Sequence, residues 1–276
     1  MSDPVRTLQL AELDILKQVL AIIEAHELTY YLLGGTLLGA VRHQGFIPWD
    51  DDIDIGMPRP DYERFLEYAS RELTAPYRLH TVDHNRSEYF YYYARVENAD
   101  LMLLRKAAIK EVRIPVWVDV FPLDGVPDDG FKRQVWIRKC VFLQKLFKMS
   151  QYSYFGNSPN LKVERTLPKR ILRSVFMTLH MEKLLSPQTT WEMLDRALKE
   201  NHYVTCNTIV NFCGFWKLKE MFPKSVYGSG TLYPFEGLML NGPDNYDFVL
   251  TQMYGDYMTP PPVEQRNHHH LELISE

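Results

Sequence analysis

Leu33-Gly34-Gly35-Thr36 and, past a helix-forming run, Trp49-Asp50-Asp51-Asp52-Ile53-Asp54-Ile55-Gly56 decide how this chain reads. Tyr30-Tyr31-Leu32-Leu33 is a short apolar strand that stops at the glycine pair. The run 36–42 forms a helix, with Thr36 placed as its N-cap. Bare glycine backbone at that helix start lets N–H groups approach a phosphate. Asp52-Ile53-Asp54-Ile55 alternates with period two, so a strand there sends Asp52 and Asp54 to one face and both isoleucines to the core. Neighbouring carboxylates repel unless a cation lies between them, and their hard oxygens suit Mg²⁺ or Mn²⁺. Asp119, flanked by Val118 and Val120 in the apolar run 116–121, supplies a third carboxylate that is costly to bury without a partner.

Two plainer readings compete. Ile53 and Ile55 argue against a solvated acidic turn. An EF-hand-like loop accepts Asp50, Asp52 and Asp54 as its first ligands. It then requires glycine where Ile55 stands and glutamate where Asp61 stands, and Pro58 and Pro60 intrude.

Outward from this stretch, residues 5–26 read as an amphipathic helix and 61–73 as a second one after Pro60. Residues 77–82, 89–97 and 116–121 are strand candidates, so the first 125 residues alternate helix and strand in an α/β or α+β pattern. Helical stretches follow at 131–150, 164–183 and 188–200, then a strand at 232–241 and a helix at 246–254. This divides the chain into a catalytic core over 1–128, a mainly helical basic segment over 129–229, and a segment over 230–276 that packs back on the core.

With 46% hydrophobic and 24% charged residues, the 276-residue chain is neither disordered nor fibrous. It shows no apolar run long enough for a membrane span and no signal peptide. Three cysteines without a paired motif fit a reducing cytoplasm and argue against structural zinc. Residues 131–183 carry a net +10 against −4 for the whole chain, leaving −14 elsewhere. The basic segment points to an anionic partner, and the acidic remainder argues against nucleic acid.

The glycine pair, the Asp-hydrophobic-Asp pattern and the lone strand aspartate together resemble the nucleotidyltransferase superfamily, with its polymerase beta palm-like fold. The run 33–43, LGGTLLGAVRH, continuing through Gly45-Phe46-Ile47-Pro48-Trp49-Asp50-Asp51-Asp52-Ile53-Asp54, resembles the signature of the LicD family. Those proteins are bacterial phosphocholine transferases related to animal fukutin and fukutin-related protein. Asp119-Val120-Phe121-Pro122-Leu123-Asp124-Gly125 and Tyr254-Gly255-Asp256-Tyr257-Met258 agree with it.

The resemblance implies an α+β fold with a mixed sheet, flanking helices and a helical insertion. It implies transfer of phosphocholine from CDP-choline to a sugar hydroxyl of a teichoic acid or lipopolysaccharide precursor, releasing CMP. Asp52, Asp54 and Asp119 would hold Mg²⁺ or Mn²⁺, and Asp119 or Asp50 would accept the hydroxyl proton. Gly34, Gly35, Thr36, Arg42, His43 and Trp49 would contact the donor. Aromatic faces suit a quaternary ammonium, which makes Trp49, the 89–93 run and Trp117 candidates. The acceptor would be lipid-linked, and the basic segment would touch the cytoplasmic leaflet as a surface helix. His268-His269-His270 reads as a mobile or substrate-contacting tail. One rival is transfer of a nucleoside monophosphate from an NTP; another is a non-catalytic glycan- or membrane-binding relative.

Overall fold

The structure, a computed structural model, describes residues 4–81, 91–106, 111–150, 186–262, 264, 266 and 271–274. The leading helix α1 (Pro4–Ala25) lays Leu8, Ile15, Leu16, Val19 and Ile23 on the sheet. Strand β1 (Tyr31–Leu32) runs into helix α2 (Gly34–His43). Strand β2 (Asp54–Pro58) follows the acidic loop and leads directly into helix α3 (Arg59–Glu72). Strands β3 (Tyr77–His80), β4 (Ala94–Lys106) and β5 (Glu111–Val126) complete the centre. Beyond them lie helices α4 (Gly130–Ser150) and α5 (Pro187–Leu198), and short strands β6 (Thr208–Val210) and β7 (Met221–Pro223). A hairpin of β8 (Thr231–Phe235) and β9 (Leu238–Gly242), helix α6 (Tyr246–Tyr254) and strand β10 (Leu271–Ile274) finish the described chain.

The eight-stranded sheet is mixed, as an α+β fold requires: β2 pairs parallel with β5, while β1–β2, β5–β4, β4–β10 and β3–β4 are antiparallel. Strand β5 is long enough to pair twice. Its first part lies between β2 and β4, and its end, 124–126, pairs with β6, which carries β7. The segment 129–229 therefore also contributes strands to the sheet, which its helical pattern does not reveal. A buried charge cluster fixes that junction. Arg59, at the start of α3, donates to both Asp124 carboxylate oxygens, at 2.6 and 2.8 Å, and to Asp195 of α5 at 3.1 Å. Losing one partner of such a buried pair typically costs about 3–5 kcal/mol.

Several local expectations change. The helix begins at Gly34, not Thr36. Leu33 occupies the cap position without a side-chain bond, and the Thr36 hydroxyl instead accepts the Asp54 N–H at 2.8 Å. The strand begins at Asp54, so Asp52 lies in the loop before it. The single strand over 232–241 is a hairpin, turned at Glu236-Gly237, where both residues have positive φ. Helix α4 buries Trp136, Cys140, Leu143 and Phe147. Phe131, Val135 and Phe142 face outward. The helix at 164–183 and His268–His270 lie outside the described residues. No described helix is long and apolar enough to cross a membrane.

Candidate active site

Parallel pairing of β2 with β5 puts Asp54 opposite Asp119. Backbone bonds extend this pairing: the Asp119 N–H donates to Ile53 O at 2.9 Å, and the Leu33 N–H donates to Asp54 O at 3.1 Å. Ile53 and Ile55 are fully buried, as their alternation predicts. Asp50, Asp52 and Asp54 open together onto a cleft of about 620 Å³, and Asp51 is buried away from it. Sequence period and structure agree here even though Asp52 precedes the strand.

The glycine pair forms the adjoining wall. Gly34 has φ +50°, a left-handed conformation that disfavours any side chain. A Cβ there would sit 3.4 Å from Asp54 Oδ2, and one at Gly35 would overlap Asp50 Oδ2. Bare backbone at the α2 N-terminus is thus pressed against two of the carboxylates. Arg42, at the end of α2, lines the same cleft and donates to Tyr257 O at 2.6 Å. That bond ties the glycine segment to the Tyr254–Tyr257 block. His43 is not on the cleft wall; it stands edge-on to Trp49, which is.

The cleft floor concentrates negative charge. Desolvation pushes the Asp54 carboxyl well above its usual range, and the charges of Asp52, Asp119, Asp50 and Glu220 push the same way. Asp119 has a different environment. Arg95, its neighbour on β4, donates to both its oxygens, at 2.6 and 3.4 Å. Burial raises the Asp119 carboxyl against the pull of that guanidinium. Arg95 itself stacks 3.4 Å from the Tyr91 ring centre and 4.2 Å from that of Trp117. Those rings, predicted for an ammonium ligand, already hold a cation of this chain.

Another part of the cleft lining has no local signature in the sequence. Phe215, Trp216, Tyr254 and Tyr257 form it, with Trp216 edge-on to Tyr254 at 5.9 Å. Phe215 is 87% exposed, a large ring offered to solvent at the cleft. Glu220 shapes this wall: its carboxylate accepts from Asn211 Nδ2 at 2.8 Å and from the Trp216 N–H at 3.1 Å. Burial pushes Glu220 up to about 7. Only the position of Glu220 beside β7, reached through β6, brings it to Asp54, and no local pattern signals that.

Among the described residues, no three His, Cys, Asp or Glu side chains form a ready metal cage. The oxygen-only donor set still fits a hard divalent cation. Mg²⁺ is commonly held by one or two carboxylates together with substrate phosphates, and the like charges around Asp54 are relieved by such an ion. Asp52 and Asp54 face the cleft for that role; Asp119 stands behind them in the grip of Arg95.

The Glu220 shift sets a pH signature. Its folded value lies above the ordinary 4.5, so its contribution to stability is full below about 4.5 and is lost as pH climbs through about 7. Thermal melts from pH 4 to 8 should show a decline across that window in the parent that Glu220→Gln flattens; identical profiles would refute the shifted carboxyl.

Residues 27–160 match the family described as LicD/FKTN/FKRP, nucleotidyltransferase domain. The chain is 30% identical over 269 residues to the lipopolysaccharide cholinephosphotransferase LicD of Haemophilus influenzae, covering 97% of this chain and 96% of that protein. It is 26% identical over 151 residues to the ribitol 5-phosphate transferase FKRP of Homo sapiens, covering 52% of this chain and 28% of the relative. With its glycine-led helix, acidic cleft and near full-length match, this chain belongs to the LicD family.

Proposed function

We propose that this chain transfers phosphocholine from CDP-choline to a sugar hydroxyl of a surface glycan, a lipopolysaccharide or teichoic acid precursor. The observation that carries this reading is the meeting of two unlike linings in one cleft. Carboxylates and bare glycine backbone suit a diphosphate held with a cation, and aromatic rings, of which Phe215 is exposed, suit a quaternary ammonium. The near full-length relative named a lipopolysaccharide cholinephosphotransferase supports the same chemistry.

In this reaction the sugar oxygen attacks the phosphorus that bears choline. The bond from that phosphorus to the CMP oxygen breaks, a phosphodiester forms, and CMP leaves. Asp52 and Asp54, backed by Asp119, would hold Mg²⁺ or Mn²⁺, which supplies positive charge to the diphosphate and leaving group. Backbone N–H groups at the start of α2 orient the phosphates, and Arg42 adds positive charge at the cleft wall. For the hydroxyl proton, Glu220 lines the cleft and is held by neutral donors, Asn211 and the Trp216 N–H, whereas Asp119 is held by the Arg95 guanidinium and lies behind the cleft wall. A carboxyl titrating near 7 matches proton acceptance at neutral pH. Phe215 and Tyr254 would face the choline end, beside Trp216 and Trp49, whose rings already carry Lys219 at 4.8 Å and Arg266 at 4.1 Å.

Incubation with CDP-choline and a glycan acceptor should release CMP. Asp52→Asn and Asp54→Asn should each lower turnover by at least about 10²-fold with the fold intact by circular dichroism. Pyrophosphate release from CTP, with no CMP from CDP-choline, would instead establish a nucleotidyltransferase.

The acceptor side draws on α4. Phe131, Val135 and Phe142 project outward from it beside exposed Lys132, Arg138, Lys139 and Lys145. We infer that this face lies on an anionic cytoplasmic leaflet, where a lipid-linked acceptor is presented. Each basic residue at such a surface contributes about 1 kcal/mol. The protein should sediment with phosphatidylserine vesicles at low salt and less so at high salt, and Phe142→Ser with Lys145→Glu should weaken it. No sedimentation at low salt would refute the membrane contact.

A further inference from the structure

A second cleft, of about 690 Å³, takes no part in the chemistry above. It opens at the far end of β2. Leu33 and Asp54 border the acidic cleft, whereas Tyr31 and Pro58 border this one. Four residues of β2 separate Asp54 from Pro58, about 13 Å at the rise of a strand.

The lining combines apolar rings with hydrogen-bonding groups. Tyr31 and Tyr203 supply aromatic rings, and Pro58, Pro60 and Pro223 supply pyrrolidine rings. Their frame is fastened. The Tyr31 hydroxyl donates to Gly228 O at 2.8 Å. Lys224 Nζ donates to Tyr203 O at 3.1 Å and Val204 O at 2.9 Å, and it lies 5.3 Å from the Tyr203 ring centre. Asp61 accepts the Thr29 N–H at 3.3 Å. By contrast, the hydroxyls of Thr29, Tyr203 and Ser225 have no hydrogen-bond partner among the described residues. Charge narrows the ligand class. Asp61 and Lys224 are the two charged side chains of the lining, and they cancel. A nucleotide diphosphate requires more positive charge than that, and a cation requires more negative charge. A sugar ring requires neither: its C–H faces are apolar, and each rim hydroxyl both donates and accepts.

We propose that this cleft binds an uncharged sugar residue of the acceptor glycan, away from the sugar that reacts. The inference rests on the glycan reading above. It adds a second point of attachment, so that a chain held here presents its reacting sugar to the acidic cleft from a tethered position. Acceptor length then contributes to selection along with the reacting sugar.

The test is calorimetric titration of the full chain, without donor, with delipidated lipopolysaccharide oligosaccharide. Tyr203→Ala should weaken binding by about tenfold or more. Tyr203→Phe, which loses only the hydroxyl, should weaken it by about fivefold. Val204 is 72% exposed on the cleft rim, so Val204→Trp should fill the cleft and weaken binding with an unchanged melting temperature. With CDP-choline present, Tyr203→Ala should raise KM for the oligosaccharide and leave kcat unchanged. Affinities within twofold of the parent in both Tyr203→Ala and Val204→Trp overturn the proposal. Weakening confined to Tyr203→Ala with a lowered melting temperature marks a packing residue and also overturns it, as does a parent chain that does not bind the oligosaccharide. Absence of CMP release from CDP-choline removes the transferase reading, and the donor-free titration still decides this one.

Discussion

The parallel pairing of β2 with β5 is the constraint on which the rest of the cleft depends, because it sets Asp54 beside Asp119 at the place where the sheet meets the start of α2. Every neighbouring feature answers the charge gathered there. The Thr36 hydroxyl accepts the Asp54 N–H and holds the backbone in place. Gly35 leaves room for Asp50 Oδ2 where a side chain would collide, and Gly34 takes a left-handed backbone that disfavours one. Arg95 neutralises Asp119 from the next strand, itself wedged between aromatic rings. Among the described residues Asp54 receives no such cation, and burial with the like charges around it raises its carboxyl. A site built this way is stable without its substrate only at some electrostatic cost, which a bound cation and diphosphate would relieve.

Charge is treated differently a few residues along β5. Asp124 is as deeply buried as Asp119, yet Arg59 meets it with two short bonds and links α3 to α5. Asp119 and Asp124 belong to one sequence block, but Asp124 fastens the sheet to its helices and Asp119 lies behind the cleft carboxylates, held by Arg95. The separation follows from the two pairings of β5, one with β2 and the other with β6. The acidic cleft therefore opens where the parallel pair begins, and the Arg59 ion pairs sit where the sheet extends toward α5.

What the sequence makes legible here is local. Ile53 and Ile55 bracket Asp54 with period two, and Val118 and Val120 bracket Asp119, so the two carboxylate strands can be read from nearest neighbours. The glycine pair is legible because left-handed backbone demands glycine at Gly34 and close approach demands it at Gly35. The cap is not: Thr36 has the right chemistry for capping, but its hydroxyl is drawn to the Asp54 N–H once β2 is in place. The aromatic lining is also hidden. Glu220, Asn211 and Trp216 reach the cleft through β6 and β7, whose three-residue strands carry no periodic signal. Tyr91 and Trp117 have the right chemistry for an ammonium, but Arg95 arrives between them by strand pairing that their own spacing does not encode.

The cleft beside Asp52 and Asp54 is expected to hold a divalent ion together with a CDP-linked donor. Crystals grown with Mn²⁺ and CDP-choline and measured at the manganese absorption edge test it most directly. The account predicts an anomalous peak within coordination distance of Asp52 and Asp54, with the diphosphate against the α2 N-terminus and the choline among Trp216 and Tyr254. A peak elsewhere, or a nucleotide seated in the second cleft between Tyr31 and Tyr203, would contradict it.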